Sequence, residues 1–571
     1  MEQKFRKTHP RALYTLFGTE MWERFSYYGM RALLTLYLTA KLIDDGFGLP
    51  REQALEIYAL FTGLVYLTPI LGGWISDKFL GQRKTVYIGG VVMAIGQFLL
   101  AASAFMAEQL DHDTRLFLFN FGLGVLIIGN GFFKPNISTV VGEFYDDNDP
   151  MKDAAFNIFY LGINLGAILG TFIAGGLGEN VNWGYGFLAA GIGMLLSVLW
   201  LKWKEDTLEH EGLPPNSPAD KTVLDAKDWK DIFIYAIGLV LATLTVIAIW
   251  RMLPDSVTTV IAIGGLILIF LVLFYIIFKG TNGKDEWSRM AVIITLAVFN
   301  IVFWAGFEQA GGTFSLFARD NTDRKLNGFN LPVIGNIDIK FWGILALISL
   351  FIWIYTIYIK IYSDDTSKLA MAKKLGKYSG IATLIFGFFA ILKFMSEGPE
   401  IPATWFQNVN SFAILIFAPL FSIMWLKLDK LHLNPRTPIK FALGLFLGAV
   451  AFFVMTQAQH LADTGIKVSP WWLVSVYVLL TLGELMLSPI GLSMITKLAP
   501  TKLVSVVMGL WMASFAAGNY MAGMLEGILK GLNEKGYHIE LYPFIMWVML
   551  GTGLAIVLLS PLLNKAMKGI H

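Results

Sequence analysis

Cysteine is absent from this chain of 571 residues, and charged residues make up only 15% of it, against roughly 25% in an average soluble domain. Without cysteine there is no disulfide, no thiol nucleophile and no thiolate metal site. Histidine is also sparse, with seven residues, none of them in the middle of an apolar run and no two at i, i+4 spacing. This distribution argues against a metal centre and against a histidine proton relay inside a membrane.

A strong net charge is missing as well, because 44 basic residues nearly balance 42 acidic ones. No global field therefore points to nucleic acid as a partner. The shortage of charge extends over nearly the whole length, which excludes a soluble enzyme, a disordered protein and a disulfide scaffold. We expect no cleavable signal, since residues 1–11 are polar and the apolar run that follows has no small-residue cleavage site.

The chain is instead rich in long apolar runs, and 56% of its residues are hydrophobic. A helix needs about 20 such residues to cross a membrane, whereas an outer-membrane strand needs about ten alternating ones. The runs therefore predict an all-α polytopic membrane protein. Sixteen spans are predicted, at 13–42, 53–78, 84–108, 114–142, 152–177, 184–203, 231–251, 257–279, 287–318, 341–362, 378–396, 405–427, 437–460, 471–497, 502–530 and 542–566.

The distribution of basic residues predicts the orientation of these spans. An even number of spans puts both termini on one side, and with the N-terminus inside most Lys and Arg fall in inside loops or helix ends. We therefore expect a multi-pass protein of the cytoplasmic (inner) membrane with both termini cytoplasmic. The polar stretch 204–230, which contains Pro214 and Pro218, is predicted to be a loop between two halves.

Ionisable residues inside the predicted spans are the strongest functional signal. Each costs about 2.5–3.5 kcal/mol at the centre of a helix, so such groups are normally paired, face a cavity and mark a substrate or ion path. Those in the first span share one polar face of the helix, and Lys134 comes just before Pro135, which bends its helix. The set comprises Glu20, Glu23, Arg24, Arg31, Lys134, Glu308 and Glu484.

These seven groups are three cations and four carboxylates, so one carboxylate has no counter-charge. A surplus carboxylate in a low dielectric takes up a proton. An anionic substrate that occupies the cations would free a further carboxylate. The count therefore predicts that the binding of protons and of an anionic group are linked.

Seven separated motifs occur in order along both halves of the chain. They are ExxERFxYYG at 20–29, GGWISDKFLGQRK at 72–84, FNIFYLGINLG at 156–166, FWAGFEQ at 303–309, WFQNVN at 405–410, GELMLSP at 483–489 and MGLW at 508–511. Together they resemble the proton-dependent oligopeptide transporter family of the major facilitator superfamily, among whose members we expect a bacterial di- and tripeptide symporter.

The resemblance implies a major facilitator fold with two six-helix bundles, at 1–204 and 287–571, and two inter-bundle helices within 205–286. One departure is an additional hydrophobic hairpin at 341–396, which we interpret as a peripheral structural element, with a regulatory role left open. A second departure is Ala59, where animal members carry a histidine. Proton coupling is therefore expected to use carboxylates.

The implied function is proton-coupled symport of di- and tripeptides by alternating access. The expected partners are the peptide, protons and the lipid bilayer, without a cofactor, metal or nucleic acid, and we expect a monomer that is not an enzyme. An alternative on the same fold is a transporter of nitrate or another small anion. Glu484 argues against it, because a small anion has no ammonium group to pair with.

The resemblance also implies the roles of individual residues. Arg31 and Lys134 would hold the carboxylate of the peptide, and Glu484 its ammonium group. The other implied substrate contacts are Tyr28, Tyr66, Asn164, Trp304, Asn410, Ser488 and Trp511. The implied proton-coupling residues are Glu20, Glu23, Arg24 and Glu308.

Depth along the helices predicts two gates. Arg31 and Glu308 lie at similar depth on the outer side, so they are expected to pair and close that side of the site. Lys134 and Glu484 are expected to close the inner side, and both pairs should not be tight in one conformation. An inside loop carries three further candidate gating residues, expected to hold inner helix ends together when the cavity faces outward: Asp77, Arg83 and Lys84.

Overall fold

A computed structural model describes residues 8–146, 149, 151–214, 217–218, 221–325, 339–363 and 365–567. Within these residues the backbone is almost entirely helical, and strand-like pairing is confined to two isolated bridges between loops. The predicted all-α architecture is confirmed. Pro215 and Asn216 of the predicted linker lie outside the described residues.

In the first half of the chain, the part that the structure describes forms six long spans. A five-residue π-helical segment joins α5 to the short α6, so that these two form one span. The helices are α1 (Arg11–Thr39), α2 (Arg51–Ile75), α3 (Gln82–Phe105), α4 (His112–Glu143), α5 (Met151–Gly170), α6 (Gly176–Asn180) and α7 (Trp183–Trp203).

The described residues of the rest of the chain form ten long spans, and a 3-10 turn at Glu308–Ala310 interrupts the first core helix of the second half. The helices are α8 (Ala226–Met252), α9 (Asp255–Gly280), α10 (Gly283–Phe307), α11 (Thr313–Asp320), α12 (Ile339–Tyr362), α13 (Thr366–Ser396), α14 (Asn408–Lys430), α15 (Thr437–Asp463), α16 (Trp471–Leu498), α17 (Val504–Asn533) and α18 (Leu541–Ala566).

Every predicted span coincides with a helix or with two helices in line, although one start is wrong. Helix α13 begins at Thr366, twelve residues before the predicted start at 378, because the lysine-rich turn is itself good helix-forming sequence. Thirteen stretches of the described residues are long and apolar enough to cross a membrane. Helix α1 is not among them, since its polar face carries Glu20, Glu23, Arg24 and Arg31.

Two separate hydrophobic cores divide the molecule. One core gathers buried residues from Ala12 to Ala236, and the other gathers residues from Leu273 to Met567 together with two side chains of the first half. Helix α8 packs on α3 and α4 of the first bundle, and α9 packs on α17 of the second. The molecule is thus built as two helical bundles, with α8 and α9 distributed between them.

The hairpin of α12 and α13 follows the second bundle's first core helix in sequence, but the end at which α12 meets α13 rests on the first bundle. The ammonium of Lys204 lies 4.3, 4.6 and 4.5 Å from the ring centres of Trp203, Tyr358 and Tyr362, and it donates to the Tyr358 hydroxyl at 2.6 Å. Thr15 of α1 contacts the Tyr362 hydroxyl at 3.0 Å. Cation–π and hydrogen-bond contacts therefore fix the hairpin to α1 and the end of α7.

Glycines let the helices of the first bundle approach closely, as membrane helices commonly do. A Cβ atom added at Gly129 of α4 would lie 2.6 Å from Met93 Cγ, 2.8 Å from the Met93 amide nitrogen and 2.9 Å from the Gly89 carbonyl oxygen of α3. Two of these three obstacles are backbone atoms, which cannot turn aside. The α3–α4 contact thus depends on the missing side chain.

We predict that Gly129→Val destabilises the protein by about 3 kcal/mol or more, because overpacking a tight contact commonly costs 1–3 kcal/mol even where side chains can yield. The melting midpoint of the purified protein in detergent measures the effect. Gly387→Val on α13 is the matched control, since nothing lies within 4 Å of a Cβ at that position. An equal loss in both variants would contradict the packing argument.

Candidate functional site

The two bundles meet deep in the protein at a three-membered polar cluster. Arg31 of α1 forms an ion pair with Glu308 at 2.5 Å, and it also donates to the Tyr58 hydroxyl of α2 at 3.0 and 3.1 Å. The same hydroxyl donates to Glu308 Oε2 at 2.9 Å. Glu308 begins the 3-10 turn after α10, so this break in the helix directs its carboxylate toward the first bundle.

Tyr58 is a site residue that sequence reasoning missed. The neighbouring Ala59 stands out in the sequence because animal members of the family carry a histidine there. A lone tyrosine in an apolar helix, in contrast, usually packs as a hydrophobic residue. Tyr58 is fully buried, and its hydroxyl joins two charged groups. The signal available in the sequence was a phenolic hydroxyl on the helix adjacent to the charged first span.

The remaining charges of α1 are paired within their own bundle. Arg24 Nε lies 3.0 Å from Glu20 Oε1 and also pairs with Glu23. The amide of Asn130 on α4 donates to Glu23 Oε1 at 3.4 Å. All three charged side chains are at most 3% exposed, so they form a buried network facing α4.

The predicted inner pair is not formed in this structure. Lys134 of α4 lies with its ammonium 4.1 Å above the ring of Tyr66, close enough to Glu20 and Glu23 for electrostatic interaction. Glu484 of α16 instead accepts a hydrogen bond from Asn410 at 3.0 Å. Cation and carboxylate thus stand on opposite bundles without an ion pair between them among the described contacts.

Among the other predicted substrate residues, the aromatic ones contact neighbouring side chains, whereas Asn164 bonds to its own helix. Tyr28 lies beside Arg31, whose guanidinium is 5.9 Å from its ring centre. Tyr66 and Trp304 both pack on Phe515, whose ring centre lies 5.9 Å from that of Tyr66 and 4.6 Å from that of Trp304. Asn164, in contrast, donates its amide to a carbonyl of its own helix at 3.0 Å.

Three of the predicted residues hold buried polar atoms without a hydrogen-bond partner in the described part of the chain. These atoms are Nε1 of Trp304, Nε1 of Trp511 and Oγ of Ser488. Trp511 is only 1% exposed and packs against Phe515 and Phe441, so it lies within the core of the second bundle. Buried polar atoms almost always have a hydrogen-bond partner. Because these three atoms have none within the described residues, a bound molecule can supply it.

The three predicted inner-loop gating residues, Asp77, Arg83 and Lys84, contact the first bundle, the linker and α8. Among the described residues they form no hydrogen bond or ion pair with the second bundle. Arg83 is 1% exposed, and its guanidinium donates to three carbonyl oxygens of the linker at 2.6–2.7 Å. Lys84 pairs with Asp228 and Asp231 at 3.1 and 2.9 Å, near the start of α8. Asp77 accepts from the neighbouring Gln82 at 3.2 Å. In this conformation Arg83 holds the linker and Lys84 holds the start of α8, whereas Asp77 contacts neither among the described residues.

The linker also contains a compact polar turn. The backbone N–H of Asp228 and the ammonium of Lys221 both donate to the carboxylate of Asp225, at 2.9 Å each. These hydrogen bonds lower the pKa of Asp225 to about 2, so this carboxylate keeps its charge throughout the physiological range.

The ion pairs between the bundles all lie toward one end of the molecule in the described residues. It is the end at which α1 stops and α2 begins, and the predicted topology puts it outside. The cross-bundle pairs are Arg31–Glu308, Arg51–Glu526 at 2.6 Å, Glu52–Lys530 at 2.8 Å and Glu179–Arg324 at 3.8 Å. The carboxylate of Glu179 also accepts from the backbone N–H groups of Ala403 and Thr404, at 2.8 and 2.7 Å.

Among the described residues, no group of three or more acidic or histidine side chains is arranged to hold a metal ion. The described ion pairs within the site are those of Arg31 with Glu308 and of Arg24 with Glu20 and Glu23. Two six-helix bundles that enclose such a charged site define a membrane transporter of the major facilitator type.

The family of this transporter follows from its sequence. The profile of the POT family (PTR2) matches residues 83–391 and 378–542, and the chain belongs to this family. It is 32% identical to the peptide transporter YePEPT of Yersinia enterocolitica, over 91% of this chain and 88% of that protein. It is 31% identical to a di-/tripeptide transporter of Lactococcus lactis subsp. cremoris, over 96% of this chain and 95% of that one.

Solved structures agree with this placement. A crystal structure of the peptide transporter POT in complex with sulfate matches with a TM-score of 0.72 at 30% identity, covering 99% of this chain and 98% of that one. A mutant of a peptide transporter POT in complex with alafosfalin has the same TM-score, identity and coverage. The named relatives are transporters and not enzymes. The major facilitator fold and the family resemblance are confirmed.

We predict that Tyr58→Phe lowers the free energy of unfolding by about 2 kcal/mol, the usual scale for buried hydrogen bonds to charged groups. The variant removes one hydroxyl that bridges Arg31 and Glu308 and leaves the ring in place. The melting midpoint in detergent should fall accordingly.

Tyr87→Phe is the matched control for this prediction. Tyr87 is equally buried, but its hydroxyl has no hydrogen-bond partner in the described residues, so its removal should leave the melting midpoint unchanged or raise it. Equal behaviour of the two variants would show that the Tyr58 bridge does not stabilise the contact between the bundles.

Proposed function

We propose that this protein imports di- and tripeptides across the cytoplasmic membrane, coupled to protons, by alternating access and as a monomer with both termini in the cytoplasm. One observation carries the proposal: Arg31, a cation of the first bundle, and Asn410, which holds the carboxylate of Glu484 in the second, line the same cavity between the bundles. A peptide zwitterion has opposite charges at its two ends and matches this arrangement. The names of the relatives, which include peptide transporters, support the same substrate class.

The clamp on the two ends of the peptide rests on charge-assisted hydrogen bonds, which are roughly twice as strong as neutral ones. Arg31 and Lys134 would receive the carboxylate; the ammonium of Lys134 lies 4.1 Å above the ring of Tyr66 and forms no ion pair among the described contacts. Glu484, with Asn410 already bonded to it, would receive the ammonium group. Tyr28, Tyr66, Asn164, Trp304, Ser488 and Trp511 would then surround the middle of the peptide and its side chains.

Proton coupling in this proposal centres on Glu308. Its carboxylate and the carboxylate of a peptide compete for the same guanidinium, since Arg31 already pairs with Glu308 at 2.5 Å. A proton on Glu308 removes its charge and frees Arg31 for the peptide. The network of Glu20, Glu23 and Arg24 would respond to the charge on Lys134 from the same bundle.

The pattern of contacts between the bundles supports an alternating-access cycle. The cross-bundle ion pairs lie toward the outer end, and the Lys134–Glu484 pair is open. The structure thus fits a state whose outer gate is closed. To open outward, the bundles would have to break Arg31–Glu308 and the rim pairs and approach each other at the inner end.

We expect Glu308→Gln to lose proton-driven accumulation of a labelled dipeptide while keeping exchange of labelled for unlabelled peptide. The glutamine preserves the shape of the side chain but cannot give up or take a proton. Uptake into proteoliposomes with an imposed proton gradient, compared with exchange without one, measures both activities. Surviving accumulation in this variant would remove Glu308 from the coupling step.

Glu526→Gln is the matched control for Glu308→Gln. Glu526 also forms a cross-bundle ion pair, with Arg51, but it lies on the rim outside the proposed peptide clamp. Its neutralisation should leave gradient-driven accumulation intact. If both variants lose accumulation, the effect comes from a weakened gate and not from proton coupling at Glu308.

We expect a dipeptide amide to bind about 10–100-fold more weakly than the free dipeptide, because hydrogen bonds to charged groups contribute about 1.5–3 kcal/mol. Competition against a labelled dipeptide measures the difference. Replacing Lys134 with glutamine should shrink this preference, since it removes one cation of the clamp. Amides that compete as well as free acids would contradict the carboxylate assignment and favour another class of substrate.

A further inference from the structure

A small cavity lies between α1, α5, α14 and α16 at the level of Arg31. Its lining includes Tyr28 and Arg31 from the first bundle, and Asn408, Asn410 and Tyr477 from the second. It therefore adjoins both the cationic and the carboxylate side of the proposed peptide site.

Several hydrogen-bond donors that line this cavity already have partners within the protein. Arg31 donates to Tyr58 and Glu308, Asn410 donates to Glu484, and the Tyr477 hydroxyl donates to the Ala310 carbonyl at 2.9 Å. These groups are held by the protein before anything binds.

Asn408 differs from them. The residue is 2% exposed, and its amide nitrogen Nδ2 is buried without a hydrogen-bond partner in the described part of the chain. Buried amide groups almost always have a partner, and leaving one unpaired is unfavourable. An unpaired N–H group beside a cavity points to an acceptor that arrives with a ligand.

A bound peptide offers two kinds of acceptor, its terminal carboxylate and its backbone carbonyl. The proposed function, on which this step rests, already gives the carboxylate to Arg31 and Lys134. Asn408 begins α14, two residues before the asparagine that contacts Glu484. From this position the remaining acceptor, the carbonyl between the charged ends, is the natural match for its N–H group.

We propose that Asn408 is a specificity-determining residue, which donates a hydrogen bond from Nδ2 to the backbone carbonyl of the bound peptide. Every peptide has this carbonyl, whatever its side chains. The contact therefore selects peptides over other zwitterions of similar length and tolerates variation in sequence.

The test combines a variant of the protein with a change in the ligand. Wild type and Asn408→Ala are compared for binding of a dipeptide and of its trans-alkene isostere, in which a carbon–carbon double bond replaces the peptide bond. Asn408→Ala should weaken the dipeptide roughly tenfold, as expected for one buried hydrogen bond, and leave the affinity of the isostere unchanged. An equal loss for both ligands, or no loss for the dipeptide, would overturn the assignment.

Gln407→Ala provides the matched control, because Gln407 lines the same cavity but its amide already donates to Ser315 at 2.9 Å. It should change the affinities of the two ligands by the same factor. Asn408→Ser is the second variant if the alanine variant does not fold, since its shorter hydroxyl cannot reach as far. If wild type binds no dipeptide at all, the proposed function fails, whereas an unchanged Asn408→Ala removes only this contact.

Discussion

A guanidinium buried inside a membrane protein needs a counter-charge, and here Arg31 finds it on the opposite bundle. Taking both charges out of water is costly, and removing one partner of such a buried pair typically costs 3–5 kcal/mol. The hydroxyl of Tyr58 adds hydrogen bonds to both groups, so the pair is well satisfied. Because Arg31 and Glu308 lie on different bundles, moving the bundles apart at this point leaves both charges without a partner.

The other buried charges are balanced differently. Arg24 pairs with Glu20 and Glu23 within the first bundle, and Glu484 accepts a hydrogen bond from Asn410 within the second. Each bundle can thus move as a unit without leaving these groups unpaired. The ion pairs between the bundles are concentrated, among the described residues, at the end of the molecule where α1 stops and α2 begins, in the Arg31 cluster and the ion pairs of the rim.

Some features of the structure could be predicted from the sequence and others could not. The helices follow from the length of the apolar runs. The Arg31–Glu308 contact agrees with the similar depth of the two residues along their helices, because a buried charge is costly unless it is paired. The partners of Arg83 are backbone carbonyls, which every residue possesses, so no pattern of side chains could identify them. The bridging role of Tyr58 likewise depends on its three-dimensional surroundings and not on composition. The early start of α13 at Thr366, in contrast, follows from the helix propensity of the lysine-rich turn.

The hairpin of α12 and α13 imposes a mechanical constraint. One end of it is held to the first bundle through Lys204 and Thr15, while Phe394 near its other end contacts Trp405, just before α14 of the second bundle. A rigid element attached at its two ends to two bodies limits their relative motion. When one bundle tilts against the other, strain falls on the connection between α13 and Ala403, residues 397–402, so the stiffness of that connection limits how far the bundles can swing apart.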